Sequence, residues 1–127
     1  MAREGVKGEK PLHWVGSSKK DLLTFPSPVK DAMGWALGLA QFGGRHHSAK
    51  PWKGQGPGIF EIVEDHFGNT YRVVYTVRFP EAAYVLHAFQ KKSHSGIKTP
   101  LSDVQLVESR LKVARQDYEA RHGKSKP

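Results

Sequence analysis

An α+β fold is what this sequence predicts: a small antiparallel β-sheet, built of a three-strand meander plus an N-terminal strand, packed against two N-terminal helices and followed by a C-terminal helix. Three observations point there. Ser27-Pro28 opens a stretch whose apolar residues recur at helical spacing. Between residues 59 and 91, three runs of strand character are joined by short turns. Thr99-Pro100 then opens a second long amphipathic stretch. With 127 residues the chain suits one domain. Residues 1–9 read as a flexible tail, 10–120 as the folded domain and 121–127 as a basic frayed tail.

In chain order, residues 11–15 (Pro-Leu-His-Trp-Val) are apolar and aromatic enough for a first strand. Ser17 or Ser18 can cap a helical turn over 19–25. The first long helix takes Ser27 as N-cap and Pro28 at its first position, where a missing N–H costs nothing. Val29, Met33, Ala36, Leu37 and Ala40 fall on one face, and Gly43-Gly44 supplies a left-handed stop. Gly34 and Gly38 inside it each cost up to ~1 kcal/mol against alanine, so close contact with a helix or the sheet is expected in compensation. Residues 45–57, rich in glycine, proline and basic side chains around Trp52, read as a loop. Strands follow over 59–64, 71–79 and 83–91, with turns at Gly68-Asn69 and Pro80-Glu81, which makes an antiparallel meander. Thr99-Pro100 starts the last helix, with Ser102 and Gln105 as an alternative capping box, and Val104, Val107, Leu111, Ala114 and Tyr118 form its apolar stripe.

Composition narrows the function classes. Without cysteine there is no disulfide, no thiolate nucleophile and no thiolate metal site. No apolar run approaches the ~20 residues that span a bilayer, and the N-terminus lacks a signal-peptide pattern, so a cytoplasmic protein with no membrane role is expected. Twenty Lys plus Arg against twelve Asp plus Glu give a net charge of +8. The bases cluster: residues 45–57 and 84–99 hold no acid, and six bases fall within 110–127. That favours a polyanionic partner over a merely solvated surface. No nucleophile elbow, zinc-protease helix, Walker loop or dinucleotide fingerprint occurs. Adjacent histidines such as His46 and His47 rarely converge on one ion, so no metal and no cofactor is expected.

Period-2 geometry sorts the strands into faces. Tyr71, Val73, Tyr75 and Val77 lie on one side of the long strand, and Arg72, Val74, Thr76 and Arg78 on the other. In the last strand Tyr84, Leu86 and Ala88 oppose Val85, His87, Phe89 and Lys91. One face therefore gathers Arg72, Arg78, His87, Phe89 and Lys91, with Glu61 and Val63, and is expected to meet solvent. Cations that hold phosphate beside a ring that stacks a base suit single-stranded nucleic acid. Plainer readings stand beside this one. Arg72 can simply pair with Glu61, Phe89 can be core if the register slips by one, His87 can be an ordinary histidine, and Lys91-Lys92 can protect a strand edge.

Phe60-Glu61-Ile62, Tyr71-Arg72-Val73-Val74-Tyr75, the run 86–93 with its His-x-Phe-x-Lys-Lys core, and Lys98-Thr99-Pro100 before the last helix together resemble the phage-derived, HigB-like branch of the RelE/ParE toxin superfamily. The likeness covers roughly residues 10–118. It implies the toxin of a type II toxin–antitoxin system, a ribosome-dependent endoribonuclease that cuts mRNA, with a cognate helix-turn-helix antitoxin, the ribosome and mRNA as partners. By position Arg72, Phe89, Lys91 and Lys92 match the family's motifs. Many relatives carry arginine two residues after the strand glutamate, where this chain has Val63.

RNA cleavage requires deprotonation of a 2′-OH, stabilisation of the phosphorane and protonation of the leaving 5′-oxygen. Lys91 or Lys92 is assigned as base or electrostatic helper, Arg72 as phosphate clamp, and His87 as the acid. Phe89, Arg78, Lys53 and Lys98 complete the RNA-binding set. Two alternatives remain: a ParE-like inhibitor that binds without cleaving, and a domesticated phage-derived protein that only binds a partner.

Overall fold

The computed structural model describes residues 8–92 and 99–124. Its elements are β1 (Leu12–Trp14), α1 (Ser18–Leu22), α2 (Ser27–Gln41), β2 (Ala49–Pro51), β3 (Ile59–His66), β4 (Asn69–Thr76), β5 (Ala83–Lys92) and α3 (Leu101–His122). Five strands form one sheet in the order β1-β5-β4-β3-β2. The pairs from β2 to β5 are antiparallel, whereas β1 lies parallel to β5 with Leu12 opposite Ala83. The fold is therefore α+β with a mixed sheet. The expected loop over 45–57 contains an additional edge strand, β2, that its proline and glycine content concealed.

Each sheet face carries its own core. On one, Val29, Met33, Ala36, Leu37 and Ala40 of α2 meet Ile62, Val73, Tyr75, Val85 and Ala88. On the other, Val107, Leu111, Ala114 and Tyr118 of α3 meet Ile59, Val74, Phe79, Tyr84 and Leu86. The second face was expected to be open. Ile59, Val74 and Leu86, interleaved among its polar positions, give the stripe of α3 a surface to bury, and burial of such side chains stabilises by ~1.5–3 kcal/mol each.

A bulge in β5 explains why strict alternation misplaced part of that strand. Val74 pairs with His87 and Tyr75 with Val85, so Leu86 is an extra residue. Tyr84 and Leu86 consequently face α3 along with His87 and Phe89, while Val85 and Ala88 face α2. Arg110 of α3 fixes the bulge by donating to the Leu86 carbonyl at 3.0 Å and to Ser17 Oγ at 3.1 Å. Gly16 makes room for it: its φ is +56°, and a Cβ there would lie 2.9 Å from the guanidinium.

Several local details differ from the sequence reading. Pro26 and Pro100, with extended backbones, occupy the N-caps of α2 and α3, and no side chain of Ser27, Thr99 or Ser102 caps either helix. Strand β4 stops at Thr76, because Val77 N–H turns to the Gly58 carbonyl and Arg78 N–H to Thr76 Oγ1. The β3–β4 turn is Phe67-Gly68, both at positive φ, one residue earlier than expected. Gly34 and Gly38 pack against nothing: a Cβ at either would meet no atom within 4 Å. They open instead onto a shallow apolar groove of about 220 Å³ lined by Trp35, Leu39 and Phe42. Among the described residues no helix is long and apolar enough to cross a membrane.

Candidate functional site

The α3-facing side of the sheet brings the chemistry together. Lys50 of β2 lies opposite Glu61 of β3, Glu61 opposite Val74, and Val74 opposite His87. One rung further along, Arg72 of β4 lies between Val63 and Phe89, and beyond it Thr70 pairs with Lys91. Period-2 alternation on three adjacent strands thus places Glu61, Arg72, His87, Phe89 and Lys91 as neighbours.

Their polar atoms are mostly buried and only partly satisfied. Arg72 Nη1 donates to Glu61 Oε1, an ion pair with little solvent on either side chain. His87 Nε2 donates to Asp103 Oδ1 of α3 at 2.7 Å, since a carboxylate only accepts, and its ring stacks on Phe89 with centroids 4.5 Å apart. Arg72 Nε, His87 Nδ1, Lys91 Nζ and Trp52 Nε1 are buried without a hydrogen-bond partner among the described residues. A buried donor without a partner costs about 1–3 kcal/mol, so the clustering of three of these atoms on one sheet face calls for an explanation. Burial, followed by the positive charge of Arg72, holds the Lys91 ammonium below its ordinary pKa; Lys50 adds to the depression, and Glu61 and Asp103 oppose it.

Beside this cluster opens a cleft of about 610 Å³, within the range of ligand-binding sites. Lys50, Pro51, Trp52 and Lys53 form one wall, and Thr99 and Val104 at the start of α3 also line it. Glu61 lines it too, which ties the cleft to the Arg72 pair.

The sequence-derived residues fall into three groups. Arg72, His87, Phe89 and Lys91 are together, although His87 and Lys91 are buried, not solvent-facing as expected. Lys53 is exposed on the cleft wall. Arg78 stands apart, past the end of β4, with Nε donating to the Pro57 carbonyl at 3.1 Å and Nη2 to that of Gln55. Gly58, at φ +85°, has to be glycine there, since a Cβ would sit 3.2 Å from Arg78 Cα. Lys98 and the Lys92 side chain lie outside the described residues; the Lys92 backbone pairs with Asn69. His46 and His47 stack on one another, and His46 Nδ1 accepts from the Ser48 amide. Among the described residues no cluster of three His, Asp or Glu side chains could hold a metal ion.

Sequence reasoning missed Lys50, Trp52 and Asp103. Lys50 and Trp52 were hidden by the unrecognised edge strand. Asp103 carried only the generic signal of an acid in a helix's first turn, which says nothing about a histidine sixteen residues earlier.

The model of the phage-derived protein Gp49-like family matches residues 20–112, from α1 through all of β2–β5 and into α3. The chain belongs to the phage-derived Gp49-like family. That family is associated with RelE-like, toxin-like proteins. Neither the curated proteins nor the solved structures give a match. The matched span contains every residue of the Gp49-like chain's polar cluster and all described residues lining its cleft.

Proposed function

We propose that this Gp49-like protein is a HigB-like toxin of a type II toxin–antitoxin system that cleaves mRNA on the ribosome in the cytoplasm and is neutralised by a helix-turn-helix antitoxin. One observation carries the reading: Arg72, His87 and Lys91 converge on one sheet face, each with a buried polar atom unpartnered among the described residues, beside a cleft walled by Lys50, Trp52 and Lys53. The unpartnered donors, Arg72 Nε and Lys91 Nζ, suit a ligand with many acceptor oxygens, and a phosphodiester is one.

In this reading Lys91, its pKa lowered, takes the 2′-OH proton. Arg72, braced by Glu61, stabilises the charge on the phosphorane oxygens. His87, oriented through Nε2 by Asp103 and by stacking on Phe89, enters this step with a second proton on Nδ1 and delivers it to the leaving 5′-oxygen. Lys50 and Lys53 hold flanking phosphates, with Lys92 and Lys98 as further cations along the strand. Phe89, already stacked on His87, acts by positioning that ring, and Arg78 shapes the loop that carries Trp52 and Lys53.

The test is mapping of mRNA ends in a translating extract. New ends that depend on the wild-type chain, and disappear with Lys91→Met, support the reading; an absence of cleavage by the wild type overturns it. Val63, apolar and opposite Arg72 where many relatives have arginine, favours a second reading. The chain would then inhibit its target by binding alone, as a ParE-like inhibitor or a domesticated phage protein, and a gyrase supercoiling assay would detect the ParE-like case.

A further inference from the structure

We propose that Phe67, at the tip of the β3–β4 hairpin, is a stacking platform for a base of single-stranded RNA, extending the candidate site beyond its cationic face. This rests on the RNA reading above. Two independent features single the residue out. Its φ is +47°, a left-handed conformation that bulky side chains rarely adopt. A two-residue hairpin turn of this kind is ordinarily filled by asparagine, aspartate or glycine. The residue is also 91% exposed, and its ring lies against that of His66 with centroids 4.4 Å apart. The fold thus bears a strained backbone for a ring that contributes nothing to either core, and strain retained without structural return points to a contact with something else.

The position indicates what that is. The hairpin tip stands at the end of the sheet where β5 brings its lysines: Asn69 pairs with Lys92 and Thr70 with Lys91. Thr70 pairs with Asp65 on its other side, and Phe67 stands two residues past Asp65, about 7 Å along β3 at about 3.3 Å per residue, so one strand of RNA can engage both the tip and this rung. The neighbouring acids are already engaged, Asp65 by Thr70 Oγ1 at 2.9 Å and Glu64 by Ser48 Oγ at 3.2 Å. Its neighbours along the chain are His66, Gly68 and Asn69, none of them an apolar side chain. A lone flat ring on a strongly basic chain suits the π-face of a base, which is tolerant of sequence, better than it suits a hydrophobic protein groove.

The experiment measures affinity for a fluorescein-labelled single-stranded RNA whose 2′-O-methyl riboses prevent cleavage, together with thermal midpoints. Phe67→Gly should bind about five- to a hundred-fold more weakly, as loss of one base stack requires, yet melt at a higher temperature, because glycine takes this φ freely. Phe67→Trp should keep the wild-type affinity. Wild-type affinity in Phe67→Gly overturns the inference, and so does a lowered melting temperature, which would make the ring structural. If Phe67→Gly binds normally while Lys91→Met does not, only the role of the tip falls; if the wild type does not bind RNA, the inference falls, and the mapping of mRNA ends in a translating extract decides the functional reading on its own.

Discussion

Replacing Lys91 with methionine should stabilise the protein while abolishing its activity. The lysine side chain is 7% exposed, and its ammonium has no hydrogen-bond partner among the described residues. Methionine keeps the length and the apolar stem and removes the unpaired charge. A buried unsatisfied donor costs about 1–3 kcal/mol, more when charged, so a gain of about that size is expected near neutral pH. For a domain of this size it should raise the melting temperature by about 3–6 °C per kcal/mol. The pH dependence gives an internal control. The folded-state pKa of Lys91 lies below its ordinary 10.5, so the unfolded chain binds more protons and wild-type stability rises as pH climbs from the lowered value towards 10.5. The advantage of the variant should therefore be full below the lowered pKa and shrink as pH climbs from there towards 10.5. Urea unfolding followed by tryptophan fluorescence at several pH values measures both. A variant less stable than wild type at neutral pH, or an advantage that grows with alkalinity, would refute the reasoning.

Arg72→Ala leaves Glu61 buried without its partner and should cost about 3–5 kcal/mol, with part of the loss recovered when Glu61→Gln is added; urea unfolding of the four proteins gives the coupling. Gly34→Ala and Gly38→Ala should each stabilise by about 0.5–1 kcal/mol, since neither added methyl meets an atom, and a fall in melting temperature would show that α2 packs more closely than it does here. Tyr84→Phe removes the hydroxyl that donates to Asp117 at 2.6 Å and should cost about 1 kcal/mol, discounted because Asp117 is partly open to water. The Tyr84 hydroxyl, followed by Arg121, holds the Asp117 carboxyl below its ordinary 3.8, so that contribution is complete above this pH and lost as acid titrates the folded state. The wild-type and Tyr84→Phe stabilities should accordingly converge at low pH.

The elements with strong periodicity were legible without coordinates. The stripe Val29–Met33–Ala36–Leu37–Ala40 and that of Val107–Leu111–Ala114–Tyr118 both face cores, as helical spacing requires. The neighbourhood of Arg72, His87, Phe89 and Lys91 was legible as well, since all four follow from alternation along β4 and β5 on their common side of the bulge. What failed to show was whatever depends on one residue of register or on distant partners. The bulge at Leu86 changes the parity of β5 without changing its composition. The strand Ala49–Pro51 is too short and too proline-rich to announce itself, and with it went the cleft wall. Burial of Lys91 and His87 depends on where α3 comes to rest, and nothing local in 101–122 specifies that.

The parallel pairing of β1 with β5 bears on the order of assembly. Strands β2 to β5 are joined to their neighbours by short connections, but Leu12 reaches Ala83 across about seventy residues of chain. Loop-closure entropy makes that union the last to form and, with three short rungs, the first to part. Whenever β1 lifts away, the rim of β5 offers unsatisfied amides and carbonyls to any extended segment nearby. Amide exchange at Ala83 and at Val15, whose N–H groups bond across this seam to Pro11 and Val85, should outpace exchange in the β4–β5 ladder and report that opening directly.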